Sequence, residues 1–272
     1  MDYWQVINAS KARQYAFPEI DWQRPEQKSL AGKIAVIGGN ENSFAPIIKF
    51  ASIAKGAGID QVKAILPTAL SAKINPAVKA EGLVFVGDKK AQGFEASAIA
   101  SVKQELVGLD YAVWAGEMGR SQGAKEFLRD MISDSGREAL LTRDAVDLAL
   151  EGAEKWLEQD DMLLILSLAQ LKKLAQAIYY PKMLNLTMPL NQIVEFLHKF
   201  TLSYPVKIIL LAAGQLNVAQ NGDVRSVNLE ATRYSGDILK IFQGDLAIDV
   251  VKLSIWNKGV DFIDVASCAA LL

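Results

Sequence analysis

The sequence has very few of the residues that form disulfides and metal sites. Among 272 residues there is one cysteine, Cys268, and one histidine, His198. A single cysteine cannot form an internal disulfide, which is typical of a chain in a reducing compartment. No cluster of His, Cys, Asp and Glu has metal-ligand spacing, so we expect no metal site built by the chain. His198 is predicted to lie on the surface of a helix.

Long apolar runs and a large net charge are also absent. No run approaches the roughly 18 apolar residues that a membrane-spanning helix needs, and the N-terminus lacks the apolar core of a secretory signal. The net charge is −2 and the pI is about 5.6, which argues against nucleic-acid binding driven by bulk electrostatics. The sequence therefore predicts a cytoplasmic protein that binds neither membranes nor nucleic acids.

Several common catalytic motifs are missing as well. Gly38-Gly39 follows an apolar run, but no Gly-Lys-Ser/Thr of a phosphate-binding P-loop comes after it. The pair does not belong to a GxGxxG dinucleotide fingerprint either. No Gly-x-Ser-x-Gly elbow is present, which argues against a serine hydrolase of that type.

Short apolar runs alternate with segments of helical spacing through nearly the whole chain. Lys33 to Ile37, for example, reads as a buried strand, and 44–57 reads as the following helix. This alternation predicts an α/β fold, a three-layer α/β/α sandwich with a mostly parallel central sheet. Asn221-Gly222 lies between two strand-like runs and predicts an antiparallel hairpin in the C-terminal half.

Residues 1–30 differ from the rest, because large apolar side chains alternate with polar ones around Pro18 and Pro25. We expect a short helix and then an irregular path. The sequence predicts that residues 1–30 form an arm packed on the body or on a second subunit, and we expect a homo-oligomer. Residues 31–272 are predicted to form a single domain.

Further helices are predicted over 69–79, 94–107 and 145–157. After Asp237 the chain is predicted to be helical to its end, divided by Gly244 and Gly259. Asp144 is predicted to cap the helix that begins at Ala145.

Ligands of parallel sheets bind outside the carboxyl ends of the strands. That rule brings 38–40, 116–119, 142–144 and the loop after Leu166 to one edge of the predicted sheet. The glycines of these segments leave room for a ligand, or they simply form tight turns. Both interpretations remain open at this point.

Ser235-Gly236-Asp237 precedes the apolar C-terminal segment. A helix start presents free N–H groups to an anion, and a carboxylate there can act as a general base toward a hydroxyl. The alternative interpretation is that Ser235 or Asp237 only caps a helix.

Four segments taken in order resemble the ribokinase-like superfamily and, more narrowly, the NAD(P)H-hydrate dehydratase family, which is related to carbohydrate kinases. Residues 33–40 are similar to the family's strand followed by Gly-Gly-Ser, and 112–120 to its strand followed by Gly-Pro-Gly-Leu-Gly-Arg. Residues 141–145 are similar to its Asp-Ala-Asp-Ala, and 235–239 to its Gly-Thr-Gly-Asp-Val-Leu. The resemblance spans about residues 30–260.

The resemblance implies a ribokinase-like sandwich and a lyase that uses ATP or ADP, with Mg²⁺, to remove water from hydrated NADH or NADPH. It implies that Asp237 is the catalytic base. The residues that it implies for the nucleotide phosphates are Arg233, Ser235, Gly236 and Gly214. Those that it implies for the substrate are Gly39, Asn40, Gly116, Gly119 and Asp144.

Four segments depart from the family pattern, among them residues 210–212 in place of its Leu-Lys-Gly and 115–117 in place of its Gly-Pro-Gly. The family has a glycine-rich run at the phosphate loop, and this chain has Arg233, Tyr234 and Ser235 there. Tyr234 therefore places a large side chain where the family has none. Residues 166–170 stand where the family has His-Pro-Gly-Glu. Two further hypotheses therefore stay open. One is a non-catalytic relative that binds a metabolite or nucleotide, and the other is a small-molecule kinase that uses Asp237 on the same fold.

Overall fold

The computed structural model describes residues 2–7, 17, 19–20, 23–74, 82–133 and 136–271. A ten-stranded sheet forms its centre, in the order β1-β10-β9-β8-β7-β6-β5-β2-β3-β4. The strands are β1 (Trp4–Ile7), β2 (Lys33–Gly38), β3 (Gln61–Pro67), β4 (Leu83–Val86), β5 (Tyr111–Gly116), β6 (Glu138–Thr142), β7 (Met162–Ser167), β8 (Lys207–Ala212), β9 (Gln215–Gln220) and β10 (Asp223–Asn228).

The helices follow the strands along the chain. The α-helices of the described residues are α1 (Ala45–Gly56), α2 (Ile99–Leu106), α3 (Gln122–Ile132), α4 (Asp144–Leu148), α5 (Ala153–Trp156), α6 (Leu168–Ala177), α7 (Leu190–Ser203), α8 (Leu239–Gln243), α9 (Asp245–Trp256) and α10 (Phe262–Leu271). Short 3₁₀ turns are formed by Lys28–Leu30, Thr68–Ala72, Ala96–Ala98 and Leu229–Ala231.

Most neighbouring strands are parallel, as the sequence predicts. The run from β4 through β3, β2, β5, β6 and β7 to β8 is parallel throughout. β9 is antiparallel to both β8 and β10. The predicted hairpin is confirmed, since Asn221 and Gly222 join β9 to β10 with φ of 50° and 87°, the left-handed values that such a two-residue turn requires.

Helices cover both faces of the sheet. On β2, Ile34 and Val36 pack on the side of α1, α9 and α10. Ala35 and Ile37 pack on the opposite side, with α2, α3, α6 and α7. Because successive side chains of a strand point to opposite faces, a strand buried on both sides must be apolar throughout. The three-layer α/β/α sandwich with a mostly parallel sheet is therefore confirmed.

The N-terminal segment is a strand, and the prediction of a short helix there is wrong over the described residues. β1 pairs in parallel with β10, and the Trp4 indole Nε1 donates to Ser226 Oγ over 3.0 Å. The Tyr3 ring stacks on His198 with 3.7 Å between ring centroids. His198 is consequently half-buried and not a surface residue as predicted. Residues 8–16, 18, 21 and 22 of the predicted arm lie outside the described residues, and the division into domains stays a prediction.

Three predicted helices have different bounds in the structure. The helix predicted over 145–157 is divided into α4 and α5, because Gly152 takes a left-handed φ of 84° before α5. Ala96–Ala98 is a 3₁₀ turn before α2. The helix predicted over 69–79 is a 3₁₀ turn at Thr68–Ala72, and residues 75–81 lie outside the described part. The three C-terminal segments occur as predicted.

None of the helices that the structure describes has the length and apolarity of a membrane span.

Gly116→Ala should destabilise the protein. A Cβ built on Gly116 would lie 1.9 Å from Asp144 Oδ1, and the residue has a φ of 81°, so overlap and backbone strain add. We expect the free energy of unfolding to fall by about 3 kcal/mol, measured by urea denaturation. Gly56→Ala is the control, since a Cβ there meets nothing within 4 Å, and a change within about 1 kcal/mol is expected. Equal effects of the two substitutions would contradict the close approach.

Candidate functional site

Residues 38–40, 116–119, 142–144 and the loop after Leu166 lie at one edge of the sheet, as the sequence predicts. β2, β5, β6, β7 and β8 are parallel and adjacent in the sheet, so their carboxyl ends share this edge. β10 runs in the same direction as β8, because both are antiparallel to β9. The loop after Asn228 therefore begins at the same edge, which we call the carboxyl edge.

At the carboxyl edge, β2 and β5 approach so closely that side chains are excluded. The Gly39 N–H donates to the Gly116 carbonyl over 3.0 Å. A Cβ on Gly38 would lie 2.1 Å from that same carbonyl oxygen. Close packing therefore explains why glycine occurs at 38, and the contact with Asp144 explains why glycine occurs at 116. Their ligand-binding role stays a prediction.

Asn40 connects the loops that follow β2 and β5. Its side-chain Oδ1 accepts the N–H groups of Asn42 and Ser43 over 2.8 and 3.2 Å. Its Nδ2 donates to the Glu117 carbonyl over 2.6 Å. Beside it lies a cavity of about 290 Å³, lined by Asn40, Glu41, Asn42, Ser43, Gln92, Gly93, Met118, Gly119, Arg120 and Ser121. Two predicted substrate residues, Asn40 and Gly119, therefore line one cavity.

Asp144 does not cap a helix as predicted. Helix α4 begins at Asp144 itself, and Arg143 occupies the N-cap position without a side-chain cap. The Asp144 carboxylate turns toward β5, where Oδ1 accepts the Glu117 N–H over 2.8 Å. Burial raises the pKa of Asp144, and the nearby Glu117 carboxylate raises it further, while the Glu117 N–H opposes both effects.

Arg143 and Glu117 form a strained pair beside Asp144. Their side chains make an ion pair across the ends of β5 and β6. Arg143 has φ 57° and ψ −140°, and Glu117 has φ 58°, values that a residue with a Cβ rarely adopts. Such conformations cost of order 1–3 kcal/mol each and are concentrated at functional sites.

Gln170 joins this group from the end of β7. Its Nε2 donates to the Arg143 carbonyl over 2.6 Å and to Asp147 Oδ2 over 3.0 Å. It also forms a capping box with Ser167 at the start of α6. Glu117, Arg143 and Gln170 were not predicted from the sequence as members of a site. The Ser-x-x-Gln spacing of a capping box was the available signal for Gln170.

The predicted phosphate loop has one residue buried in the core. The Tyr234 side chain is 0% exposed and packs with the apolar core on the α1 side of the sheet. Burial raises the pKa of its phenol. Arg233 makes an ion pair with the buried Asp249 of α9 and donates from Nη2 to the Tyr234 hydroxyl over 3.1 Å. Lys252 donates to the same Asp249 carboxylate over 3.1 Å. The side chains of Arg233 and Tyr234 are therefore both held by the protein body.

The next residues form an exposed loop before α8, the first of the three predicted C-terminal helical segments. α8 has no side-chain cap, so the interpretation of Ser235 or Asp237 as a helix cap is wrong. The Asp237 side chain is 46% exposed, and its Oδ2 lies 3.7 Å from Lys240 Nζ. Within the described part of the chain, the N–H groups of Gly236 and Ile238 donate to no acceptor. Those N–H groups and the Asp237 carboxylate are available to a ligand.

The predicted phosphate residue Gly214 lies in the turn between β8 and β9. It has φ 71°, and its carbonyl accepts the Leu229 N–H over 3.3 Å. Further along, Gln243 accepts from Lys49 of α1 over 2.6 Å. The segment 229–243 thus runs from the end of β10 to the helix that follows β2, and both groups of predicted site residues lie at the carboxyl edge.

No group of three or more His, Cys, Asp and Glu side chains that suits a metal occurs among the residues that the structure describes. Mg²⁺ in nucleotide sites is usually held by one or two carboxylates together with the phosphates. The open N–H groups of Gly236 and Ile238 suit a phosphate, so the residues present fit a nucleotide that brings its own Mg²⁺.

Comparison with solved structures identifies the fold. A ribokinase-like superfamily protein from Enterococcus faecalis is similar with a TM-score of 0.67 at 13% identity, over 100% of this chain and 86% of that one. The ADP/ATP-dependent NAD(P)H-hydrate dehydratase of Bacillus subtilis, co-crystallised with ATP and Mg²⁺, is similar with a TM-score of 0.58 at 8% identity, over 93% and 84%. Adenosine kinase of Anopheles gambiae has a TM-score of 0.53 at 9% identity, over 98% and 89%.

No family model and no curated protein matches the sequence. The structural likenesses nevertheless show that the chain has a ribokinase-like fold, which confirms the sequence prediction of the fold.

Asp144→Asn should change how stability depends on pH. Because the pKa of Asp144 is raised in the folded state, its contribution to stability is complete below the ordinary value of 3.8 and is lost as the pH rises through the raised value. Asparagine keeps an acceptor for the Glu117 N–H and does not ionise. Relative to wild type, the variant should therefore gain stability as the pH rises from 4 toward 7. Chemical denaturation across this range measures it.

The matched control for that series is Asp88→Asn. Asp88 is exposed, and its Oδ1 accepts only the Lys90 N–H at 2.9 Å. We compare how the difference from wild type depends on pH in the two variants. A difference for Asp144→Asn that varies with pH no more than the difference for Asp88→Asn would contradict the raised pKa of Asp144.

Arg233→Gln should destabilise the fold, because the buried Asp249 carboxylate would keep only Lys252 as a partner. We expect a loss of about 1–3 kcal/mol in the free energy of unfolding, measured by urea denaturation. Asp249→Asn added to Arg233→Gln should recover part of the loss, since the buried carboxylate is removed while Lys252 keeps its charge. Arg233→Lys serves as the charge-preserving control. If Arg233→Gln leaves stability unchanged, the ion pair does not hold the loop.

Proposed function

We propose that this chain binds ATP or ADP at the carboxyl edge and acts as an NAD(P)H-hydrate dehydratase-type lyase with Asp237 as its base. The phosphates lie against residues 233–237 and the turn at Gly214. The hydrated nicotinamide substrate occupies the cavity beside Asn40 and Gly119. This function combines the ordered sequence resemblance with a fold similar to that of the Bacillus subtilis enzyme.

One observation carries the proposal. The bulky residue of the phosphate loop, Tyr234, is 0% exposed, so its ring does not cover the loop surface. Gly236 and Asp237 stay exposed, and the backbone beside them is free to approach a phosphate. The substitution of a glycine by tyrosine is thus compatible with an anion site at this loop.

The remaining chemistry follows from these positions. The nucleotide supplies the phosphoryl group and its Mg²⁺. Asp237 accepts the proton of the substrate hydroxyl as that oxygen forms its bond to phosphorus and the bond to the leaving nucleotide breaks. Loss of the phosphate and of a proton from the neighbouring carbon then forms the ring double bond. The N–H groups of Gly236 and Ile238 stabilise the charge on the transferred phosphoryl group.

The substrate half of the site supplies charge and rigidity. Arg120 is exposed and lines the cavity of about 290 Å³, where its guanidinium suits the diphosphate of a dinucleotide. The strained Arg143 and Glu117 hold the ends of β5 and β6 in one arrangement. A rigid edge of this kind reduces the ordering that substrate binding requires.

Two alternatives are each favoured by one observation. The similarity to adenosine kinase favours a small-molecule kinase that uses Asp237 on a different hydroxyl acceptor. The engagement of Arg233 by Asp249 favours a non-catalytic relative, because this guanidinium already has a partner within the protein.

Asp237→Asn tests the proposal. The substitution removes the base and keeps the side chain's shape, so we expect turnover of hydrated NADPH to fall about 10²–10⁴-fold with little change in ADP binding. Turnover is followed as regenerated NADPH, and ADP binding by calorimetry. Glu230→Gln is the matched control, an exposed acid in the same loop, and its turnover should equal that of wild type.

The same measurements separate the alternatives. Wild-type protein that binds neither ATP nor ADP would overturn the proposal. Nucleotide binding without turnover of hydrated NADH or NADPH and without ATP consumption would indicate the non-catalytic relative. ATP consumption that depends on another metabolite would indicate the kinase.

A further inference from the structure

A second cavity lies at the opposite edge of the sheet. Its volume is about 320 Å³. Tyr111, Glu138 and Lys207 contribute to it, and each is the first residue of its strand, β5, β6 or β8, so the cavity is at the amino ends of the strands. The other lining residues come from the strand entry at Asp110 and from the region where α9 ends and α10 begins: Ser254, Ile255, Asn257, Lys258, Gly259, Val260, Phe262 and Val265.

Four charged side chains line this cavity, and two of them, Lys207 and Glu138, form an ion pair with each other. Lys207 Nζ donates to both oxygens of the Glu138 carboxylate over 2.9 and 3.0 Å. The Tyr111 hydroxyl donates to the same carboxylate over 3.2 Å, and burial raises the pKa of this phenol, so it remains a neutral donor. The group of Lys207, Glu138 and Tyr111 therefore forms a closed, polar part of the cavity wall.

The Asp110 carboxylate is the acidic group of this cavity that can accept a ligand. Its Oδ2 accepts the Lys33 N–H over 2.9 Å. Its Oδ1 faces Lys258 Nζ at 3.5 Å, and the Lys258 side chain is 75% exposed. Exposed ion pairs of this kind contribute little to stability. A better-placed cation can therefore replace Lys258 at Asp110.

The end of α9 adds to the attraction for a cation. The last carbonyls of a helix lack partners within it and carry a partial negative charge. Ser254 and Ile255 belong to the last turn of α9 and line the cavity. An ammonium group beside Asp110 would thus face both a carboxylate and the negative end of a helix.

The rest of the lining is apolar. Ile255, Phe262 and Val265 are nearly buried side chains whose remaining surface borders the cavity. A volume of about 320 Å³ is at the low end of small-molecule pockets, which span roughly 300–1,000 Å³. The cavity therefore suits a small molecule with one charged group and a short apolar body.

We propose that this cavity binds a small molecule that carries a primary ammonium group on a short apolar body. The ammonium replaces Lys258 at Asp110 Oδ1 beside the last carbonyls of α9, and the apolar body covers Ile255, Phe262 and Val265. Simple alkylamines and apolar amino acids share this chemistry. The site lies at the edge opposite the proposed nucleotide site, so it stands independently of that function.

Calorimetry with isopentylamine, leucine and the uncharged isopentanol tests the site on the whole chain. We expect saturable binding of isopentylamine and at least tenfold weaker binding of isopentanol. Ser254→Leu, which fills the cavity from α9, should abolish amine binding. Ser52→Leu is the matched control, an exposed position on α1, and should leave binding intact. Loss of binding in both variants, or in neither, would overturn the assignment, as would equal binding of the alcohol.

Lys258→Gln tests the cation exchange without altering the cavity wall. Removal of the competing ammonium should tighten isopentylamine binding several-fold, whereas Lys89→Gln, an exposed lysine elsewhere, should not. If the natural ligands are amino acids, leucine should bind more tightly than isopentylamine, because its carboxylate would pair with Lys258. Leucine should then lose affinity in Lys258→Gln. Unchanged affinities of both ligands in Lys258→Gln would overturn the proposal.

Discussion

The close approach of β2 and β5 is the constraint on which the carboxyl edge depends. A Cβ on Gly38, at the end of β2, would overlap the Gly116 carbonyl of β5, and the Gly39 N–H reaches directly across to β5. The loop after each strand is consequently brought against its neighbour. Asn40 then reaches the Glu117 carbonyl, and Asp144 reaches the Glu117 N–H. The carbonyl and the N–H of Glu117 thus connect the ends of three strands, β2, β5 and β6.

The loop of residues 232–238 divides its side chains between two roles. Arg233 and Tyr234 attach it to α9 and to the core, and Gly236 and Asp237 face solvent. Anchoring by side chains is a different solution from a loop made of glycines, in which tight backbone turns fix the shape. In this loop the backbone at Gly236 remains exposed because the Tyr234 ring points into the core.

The sequence was sufficient for the architecture because the signals were local. Apolar strands alternating with helices predicted the sandwich, and Asn221-Gly222 predicted the hairpin. The contacts of the candidate site depend on strand register, which no local pattern contains. The pair of Glu117 and Arg143 lies on different strand ends, and the inward direction of Tyr234 requires the buried Asp249 and the core to be known. The prediction that Asp144 caps a helix was wrong for the same reason. Its carboxylate accepts a hydrogen bond from the N–H group of Glu117, which follows a different strand.

The strand formed by the first residues also bears on the order in which the chain can fold. Trp4 and its partner Ser226 are separated by 222 positions, so β1 has no partner during most of synthesis on the ribosome. The other strands can pair before it, and β1 can join only after the hairpin of β9 and β10 has left the ribosome. Closing so long a loop is slow compared with local pairing. The edge of β10 therefore stays open until late, when it can pair with this segment or with a strand of another molecule.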